Sequence, residues 1–336
     1  MARWVNEGKS HIVMNARASV SVLLPTKNGE RYLTEVLQQI SAQQGSFQLC
    51  EIIAIDSGSR DRTVEILQRH QVRLWQIQSH EFGHGKTRNF AAAQAQGEFL
   101  VFLSQDATPA DEYWLENLLA PLQEDPLVAG AFSRHRPRPH CHPMEWHRIV
   151  AYELHSQSEV QIYSAVGNPD YERNPAQYRV FANNSSVIRR AAWEQIPFPE
   201  VEFAEDQAWA EQVLKAGYKT AYAAKSVVIH SHSYSSWVNF CRHFEHARAM
   251  RELFAQPRSM MLRNCFSWAL QVARADLAFW YRQNGQSKAA VLREWALPAV
   301  SWHLAANLGL WLGERTDALP HRLSGLLSLQ ERLKRK

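Results

Sequence analysis

The run Phe99-Leu100-Val101-Phe102-Leu103 stops abruptly at Ser104, Gln105 and Asp106. Five apolar residues in succession read as a strand buried on both faces, and in open α/β sheets ligands sit beyond the carboxyl ends of such strands. A carboxylate there can hold a hard divalent cation, which in turn holds phosphate oxygens. Taken alone, Asp106 reads first as the cap of a following turn or helix. A second pair of acids, Glu205 and Asp206, precedes an amphipathic segment, where a helix N-terminus favours their charged forms. One of them can take the proton of an attacking hydroxyl, and capping is the competing reading. Lys86 and Arg88 follow Gly83 and Gly85 at the opening of a helix, where positive charge and free N–H groups suit phosphate.

These residues need elements to position them. Residues 18–24, 50–55, 72–77 and 99–103 have the length and apolar content of strands, the third being the weakest. Between them, Leu33, Val36, Leu37 and Ile40 recur at helical spacing, and a helix is expected from about 62 to 70 with Val64 and Leu67 inward. Residues 82–85 read as a loop and the alanine-rich 86–96 as a third helix. The alternation predicts an α/β fold with a mixed, mostly parallel sheet flanked by helices and right-handed crossovers. Three loops then share one rim: Pro25-Thr26-Lys27-Asn28-Gly29, Asp56-Ser57-Gly58-Ser59-Arg60-Asp61 and Ser104-Gln105-Asp106. The first two offer hydroxyls, N–H groups and a carboxylate suited to a base and ribose, and the third offers a metal ligand.

Past residue 134 the pattern loosens. The stretch 134–143, rich in proline, histidine and arginine, reads as an excursion from the sheet. Residues 178–232 form a second block: a strand with Phe181, a turn at Asn183 and Asn184, a strand ending near Arg189 and a helix opening at Glu205-Asp206. Two closing strands, 220–223 and 226–229, deliver His230 and His232. The rest is mainly helical. The expected organisation is an N-terminal extension (1–17), a catalytic domain (18–235, divided into a nucleotide-binding part 18–133 and an acceptor part 134–235) and a helical region (236–336).

Composition narrows the function classes. With 336 residues, 46% hydrophobic and 21% charged, the chain suits one sizeable α/β domain with an appendage. Cys50, Cys141, Cys241 and Cys265 form no CxxC pair, which fits a reducing cytosol. Residues 1–17 lack the apolar core of a signal peptide, so nothing points to export. The spacing of His135, His140, Cys141, His142 and His147 matches no tetrahedral zinc pattern. Arg134, Arg136 and Arg138 come without stacking aromatics, so nucleic acid is not an expected partner. Residues 295–313 are almost wholly apolar but broken by Pro298, Ser301, His303 and Asn307, and four of the last six residues are basic. A helix that packs on the protein and rests on a membrane surface is expected, rather than one that spans.

The segments 21–28, 55–63, 85–89 and 102–107, together with 82–89 (FGHGKTRN) and 203–209 (FAEDQAW), resemble the successive motifs of family 2 glycosyltransferases with the GT-A fold, most closely bacterial rhamnosyltransferases. The resemblance spans residues 19–234. It implies an inverting transfer of a sugar, rhamnose by preference, from a nucleotide-diphosphate donor such as dTDP-rhamnose to a glycan or lipid-linked glycan of the cell envelope; the alternatives are another nucleotide sugar such as a UDP-hexose, and after that a non-catalytic nucleotide-sugar binder. It further implies Mg2+ or Mn2+ on the donor diphosphate, with Asp106 and His230 as metal ligands and His232 as the alternative. Asp206 would be the base and Glu205 its support, while Pro25, Thr26, Asn28, Asp56, Ser57, Lys86, Arg88, Gln105 and Asp106 would bind the donor. The protein would work in the cytoplasm, peripherally on the inner face of the membrane. One departure stands out: Ser104-Gln105-Asp106 replaces the usual Asp-x-Asp, so the first carboxylate is missing.

Overall fold

The computed structural model describes residues 17–152 and 158–329. Among them nine strands form one sheet: β1 (Ala18–Thr26), β2 (Phe47–Asp56), β3 (Arg73–Gln76), β4 (Phe99–Leu103), β5 (Thr108–Pro109), β6 (Val128–Arg136), β7 (Gln161–Ser164), β8 (Ser185–Arg189) and β9 (Lys219–Ile229). Their order is β3-β2-β1-β4-β8-β6-β9-β5, with β7 added on β9. The first four are parallel, β8 runs antiparallel to both β4 and β6, and β6 and β9 are parallel. The chain winds from β1 outward to β3, then returns to the other side of β1 as β4. That reversal opens a crevice beyond the carboxyl ends of β1 and β4.

Helices cover both faces of the sheet, which is why β4 carries no polar residue. Val101 and Leu103 join Val20, Val22 and Leu24 under the Leu33–Ser41 and Trp114–Glu124 helices. Leu100 and Phe102 point the other way, toward Ala91 and Ala92 of the His84–Gln94 helix and Trp209 and Val213 of the Glu205–Lys215 helix. A buried polar knot ties the second half together. Trp114 Nε1 donates to the hydroxyls of Ser133 (3.1 Å) and Ser185 (3.0 Å), and Ser133 also meets Ser226 at 2.8 Å.

Several sequence expectations shift. Arg134–Arg136 continue β6, so the excursion begins at Pro137. Phe181 precedes β8 without belonging to a strand; it is buried against Trp209 instead. The two closing strands are one, β9, with an irregular register opposite Ser133 and Arg134 that looks like a break in the sequence pattern. β6 and the Trp114–Glu124 helix were not anticipated. Residues 1–16 and the basic residues at 332–336 lie outside the described residues.

The C-terminal region is built from helices Ser236–Phe254, Leu262–Asn284 and Lys288–Gly313. The polar residues that interrupt the apolar stretch 295–313 make internal contacts. Asn307 donates to the Cys265 carbonyl at 2.9 Å, His303 pairs with the buried Asp276 at 2.5 Å, and Ser301 meets Ser236 at 3.3 Å. No helix among the described residues is long and apolar enough to cross a membrane. Gly309 and Gly313, one helical turn apart, let the last helix approach the Ser236–Phe254 backbone. A Cβ on either would stand 2.3 Å from the Phe240 carbonyl or 2.4 Å from that of Phe244. Gly309→Leu is therefore expected to lower the melting temperature by several degrees, as overpacking costs about 1–3 kcal/mol. An unchanged melting curve would show that the two helices separate freely.

Candidate active site

At the crevice between β1 and β4 lies a cavity of about 700 Å³, ample for a nucleotide with an attached sugar. Its floor is the loop after β1. Gln105 clasps this loop in both directions, accepting from Lys27 N at 2.9 Å and donating to Lys27 O at 2.8 Å. Asn28, at a positive φ of 49° that asparagine tolerates, receives the Arg60 N–H on its side chain at 2.9 Å. Asp56 is fully buried and accepts from Thr26 Oγ1 and from the Gly58 and Ser59 N–H groups. Pro25, Thr26, Asn28, Ser57 and Gln105 line the cavity. Asp56 stands behind them and shapes the loops, and the exposed Lys86 is not part of the lining.

Beyond β4, Asp106 meets two imidazoles delivered by the end of β9. His230 Nε2 is 3.6 Å and His232 Nε2 3.7 Å from its two carboxylate oxygens. One ligand atom from each residue falls within 4.8 Å of the others, the only such group among the described residues. Burial pushes His230 down to about 4 against the opposing pull of Asp106, and lowers His232 as well. Both rings are thus neutral near pH 7, the form that ligates metal. The Asn184 side-chain amide lies 3.3 Å from His230 Nδ1, placed to fix the tautomer of a ligating ring. One carboxylate and two imidazoles fit a divalent transition ion.

Across the cavity, the Glu205–Lys215 helix opens after Ala204, whose φ of 60° and ψ of 33° place it in the left-handed region. Such a conformation costs about 1 kcal/mol or more for a residue with a Cβ, and turns the chain sharply into the helix. Glu205 is buried and accepts from Arg88 Nη1 at 2.6 Å. Burial alone would raise its carboxyl, yet Arg88, His84 and the helix N–H group outweigh that and hold it below the usual range. Asp206 has no such partner. Burial and the neighbouring Glu205 charge push it up to about 7, although it accepts from Gln207 N (2.8 Å) and Asn183 N (3.3 Å). Two adjacent carboxyls held apart in this way suit different tasks: a fixed anion and a proton acceptor near neutrality.

Arg88, read from the sequence as a phosphate ligand, lines the cavity and is paired there with Glu205 through Nη1. Asn183 and Asn184, read only as a turn, tie the two halves of the site together. Asn183 touches both Glu205 and Asp206 while Asn184 reaches His230. Tyr234, Arg242 and His246 also line the cavity. The last two come from the Ser236–Phe254 helix, beyond the stretch whose motifs were legible, and nothing in their spacing marked them.

Fold and cavity together suit an enzyme that binds a phosphorylated ligand at the carboxyl ends of a mostly parallel sheet. The family model described as glycosyl transferase family 2 matches residues 21–184. The chain is 33% identical over 230 residues to the O-antigen chain rhamnosyltransferase RfbN of Salmonella typhimurium, covering 67% of this chain and 70% of that one. It is 34% identical over 232 residues to the O-antigen chain rhamnosyltransferase WbaN of Salmonella anatum, covering 68% and 70%. Among solved structures, the mannosyltransferase PcManGT from Pyrobaculum calidifontis, in complex with GDP-Man and Mn2+, superposes with a TM-score of 0.58 over 91% of this chain and 89% of that one, at 19% identity. The chain belongs to the family 2 glycosyltransferases and is a transferase of the GT-A fold.

Proposed function

We propose that the protein is a metal-dependent, inverting glycosyltransferase that moves rhamnose from dTDP-rhamnose to a hydroxyl of a cell-envelope glycan or lipid-linked glycan. The observation that carries this reading is one cavity holding both the Asp106–His230–His232 cluster and Asp206, a carboxylate raised to about 7. The choice of rhamnose is supported by the two relatives, both O-antigen chain rhamnosyltransferases. Pro25, Thr26, Asn28 and Ser57 would receive the base and ribose. Asp106, His230 and His232 would hold the metal ion, which when bound neutralises charge on the departing diphosphate. The ion would be Mg2+ or Mn2+, and Mn2+, present in the PcManGT complex, is the one to use in the tests below.

In the displacement the acceptor oxygen forms its bond to the anomeric carbon as the carbon–oxygen bond to the diphosphate breaks. The diphosphate leaves with the electron pair, the acceptor proton passes to Asp206, and the configuration inverts. A lipid-linked acceptor would bring the enzyme to the inner face of the cytoplasmic membrane.

A thermal-shift panel of dTDP-rhamnose, UDP-glucose, UDP-N-acetylglucosamine and GDP-mannose, with and without Mn2+, tests the donor. Ligand at 100 times its Kd stabilises by about 2.7 kcal/mol, so dTDP-rhamnose with Mn2+ should give the largest shift. A larger shift with a UDP-hexose would move the assignment to that donor. In Asp106→Asn the Mn2+-dependent part of the shift should vanish, and an undiminished shift would reject Asp106 as a ligand.

A further inference from the structure

The sequence offers Lys86 and Arg88 as the cations that meet donor phosphate, and the structure commits neither to that task. Lys86 is exposed and outside the cavity lining, and Arg88, which lines the cavity, is buried and has its charge matched by Glu205. Lys27 does line the cavity, but its Nζ donates to Ser79 Oγ at 3.0 Å, holding two rim loops together. Arg242 remains. It faces the cavity from the Ser236–Phe254 helix and is exposed. Among the described residues its one recorded contact is with the Tyr234 ring, whose centroid lies 4.9 Å from the guanidinium carbon, and no carboxylate pairs with it. Tyr234 stacks in turn on His232, with centroids 4.7 Å apart and planes inclined by 15°. An uncommitted guanidinium therefore stands one aromatic ring away from the Asp106–His230–His232 cluster.

Charge gives this position its meaning. A divalent ion held by one carboxylate and two neutral imidazoles would keep a single net positive charge, roughly half of what two ionised phosphates bring. Ser104 and Gln105 add no second carboxylate beside Asp106, so a cationic group that fixes the diphosphate gains importance. A guanidinium presents a planar fork that fits two phosphate oxygens at once.

Resting on the function proposed above, we propose that Arg242 is a phosphate-binding residue of this site, gripping the donor diphosphate beside the metal cluster and retaining it as it leaves. Calorimetry of the full chain with dTDP, UDP, GDP and inorganic pyrophosphate, each with Mn2+, tests this in wild type, Arg242→Gln and Arg242→Lys. In Arg242→Gln the best nucleoside diphosphate and pyrophosphate should both bind about 10- to 100-fold more weakly, the worth of a charge-assisted contact. Arg242→Lys should recover part of the loss, because the charge survives and the fork does not. Melting temperatures should match the wild type, since the side chain is exposed. Unchanged affinity in Arg242→Gln overturns the proposal, and that includes the case in which Arg242 instead meets a phosphate on the acceptor. So does a loss accompanied by a lowered melting temperature that Arg242→Lys fails to correct, which would mark a structural role. Absence of any nucleoside diphosphate binding by the wild type would overturn the glycosyltransferase reading of the site and this proposal with it.

Discussion

Asp206→Asn is expected to slow sugar transfer by about 10²- to 10⁴-fold, the usual worth of a general base, with donor affinity hardly changed. The substitution keeps the size of the side chain and removes its capacity to accept a proton. Stability separates this role from helix capping, whose loss costs about 1 kcal/mol. The Asp206 carboxyl is raised from 3.8 to about 7 by burial and by Glu205. The stability associated with its protonated form is therefore complete below about pH 4 and is lost as pH rises through about 7. Asparagine mimics the protonated form, so at pH 8 the variant should melt no lower than the wild type. For the same reason wild-type turnover should climb as pH rises toward 7 and level off above it, because only the ionised carboxylate accepts a proton. Near-normal turnover in Asp206→Asn would remove Asp206 as the base, and Glu205→Gln would be measured next.

Arg88→Met is expected to cost about 3–5 kcal/mol of stability, because it strands the buried Glu205 charge without its partner. The pair joins the His84–Gln94 and Glu205–Lys215 helices across the cavity wall at 2.6 Å. The double variant Arg88→Met/Glu205→Leu should recover most of that loss, since apolar groups can replace a buried pair with little net change. Chemical denaturation of the two variants measures this directly. A single variant as stable as the wild type would show that Asn183 and His84 suffice to hold the Glu205 charge without Arg88.

Which parts of this site the sequence could show follows from how each part is encoded. The four parallel strands and their carboxyl-end loops were legible because each strand is a short apolar run ending in polar residues, as at Leu103-Ser104 and Ile55-Asp56. Position alone then brought Asp106, Thr26 and Ser57 to one crevice. β6 and the Trp114–Glu124 helix were missed because Gly130, Ser133 and Pro121 blur their periods. Side-chain pairing was also invisible. Nothing local distinguishes an arginine awaiting phosphate from one that reaches 117 positions along the chain to Glu205. Asn183 and Asn184 looked like turn formers because they are, and their second function exists only once Glu205, Asp206 and His230 have been folded around them. Arg242 lies on a helix whose inward face carries little apolar pattern, so its place on the cavity wall depends wholly on how that helix docks.

The most direct test of the account is the release of dTDP from dTDP-rhamnose by the full chain, with water standing in for the acceptor hydroxyl. The account predicts slow release that requires Mn2+, is faster than nucleotide release from UDP-glucose or GDP-mannose, and is lost in both Asp106→Asn and Asp206→Asn. Release at the same rate without Mn2+, or undiminished in either variant, would contradict it.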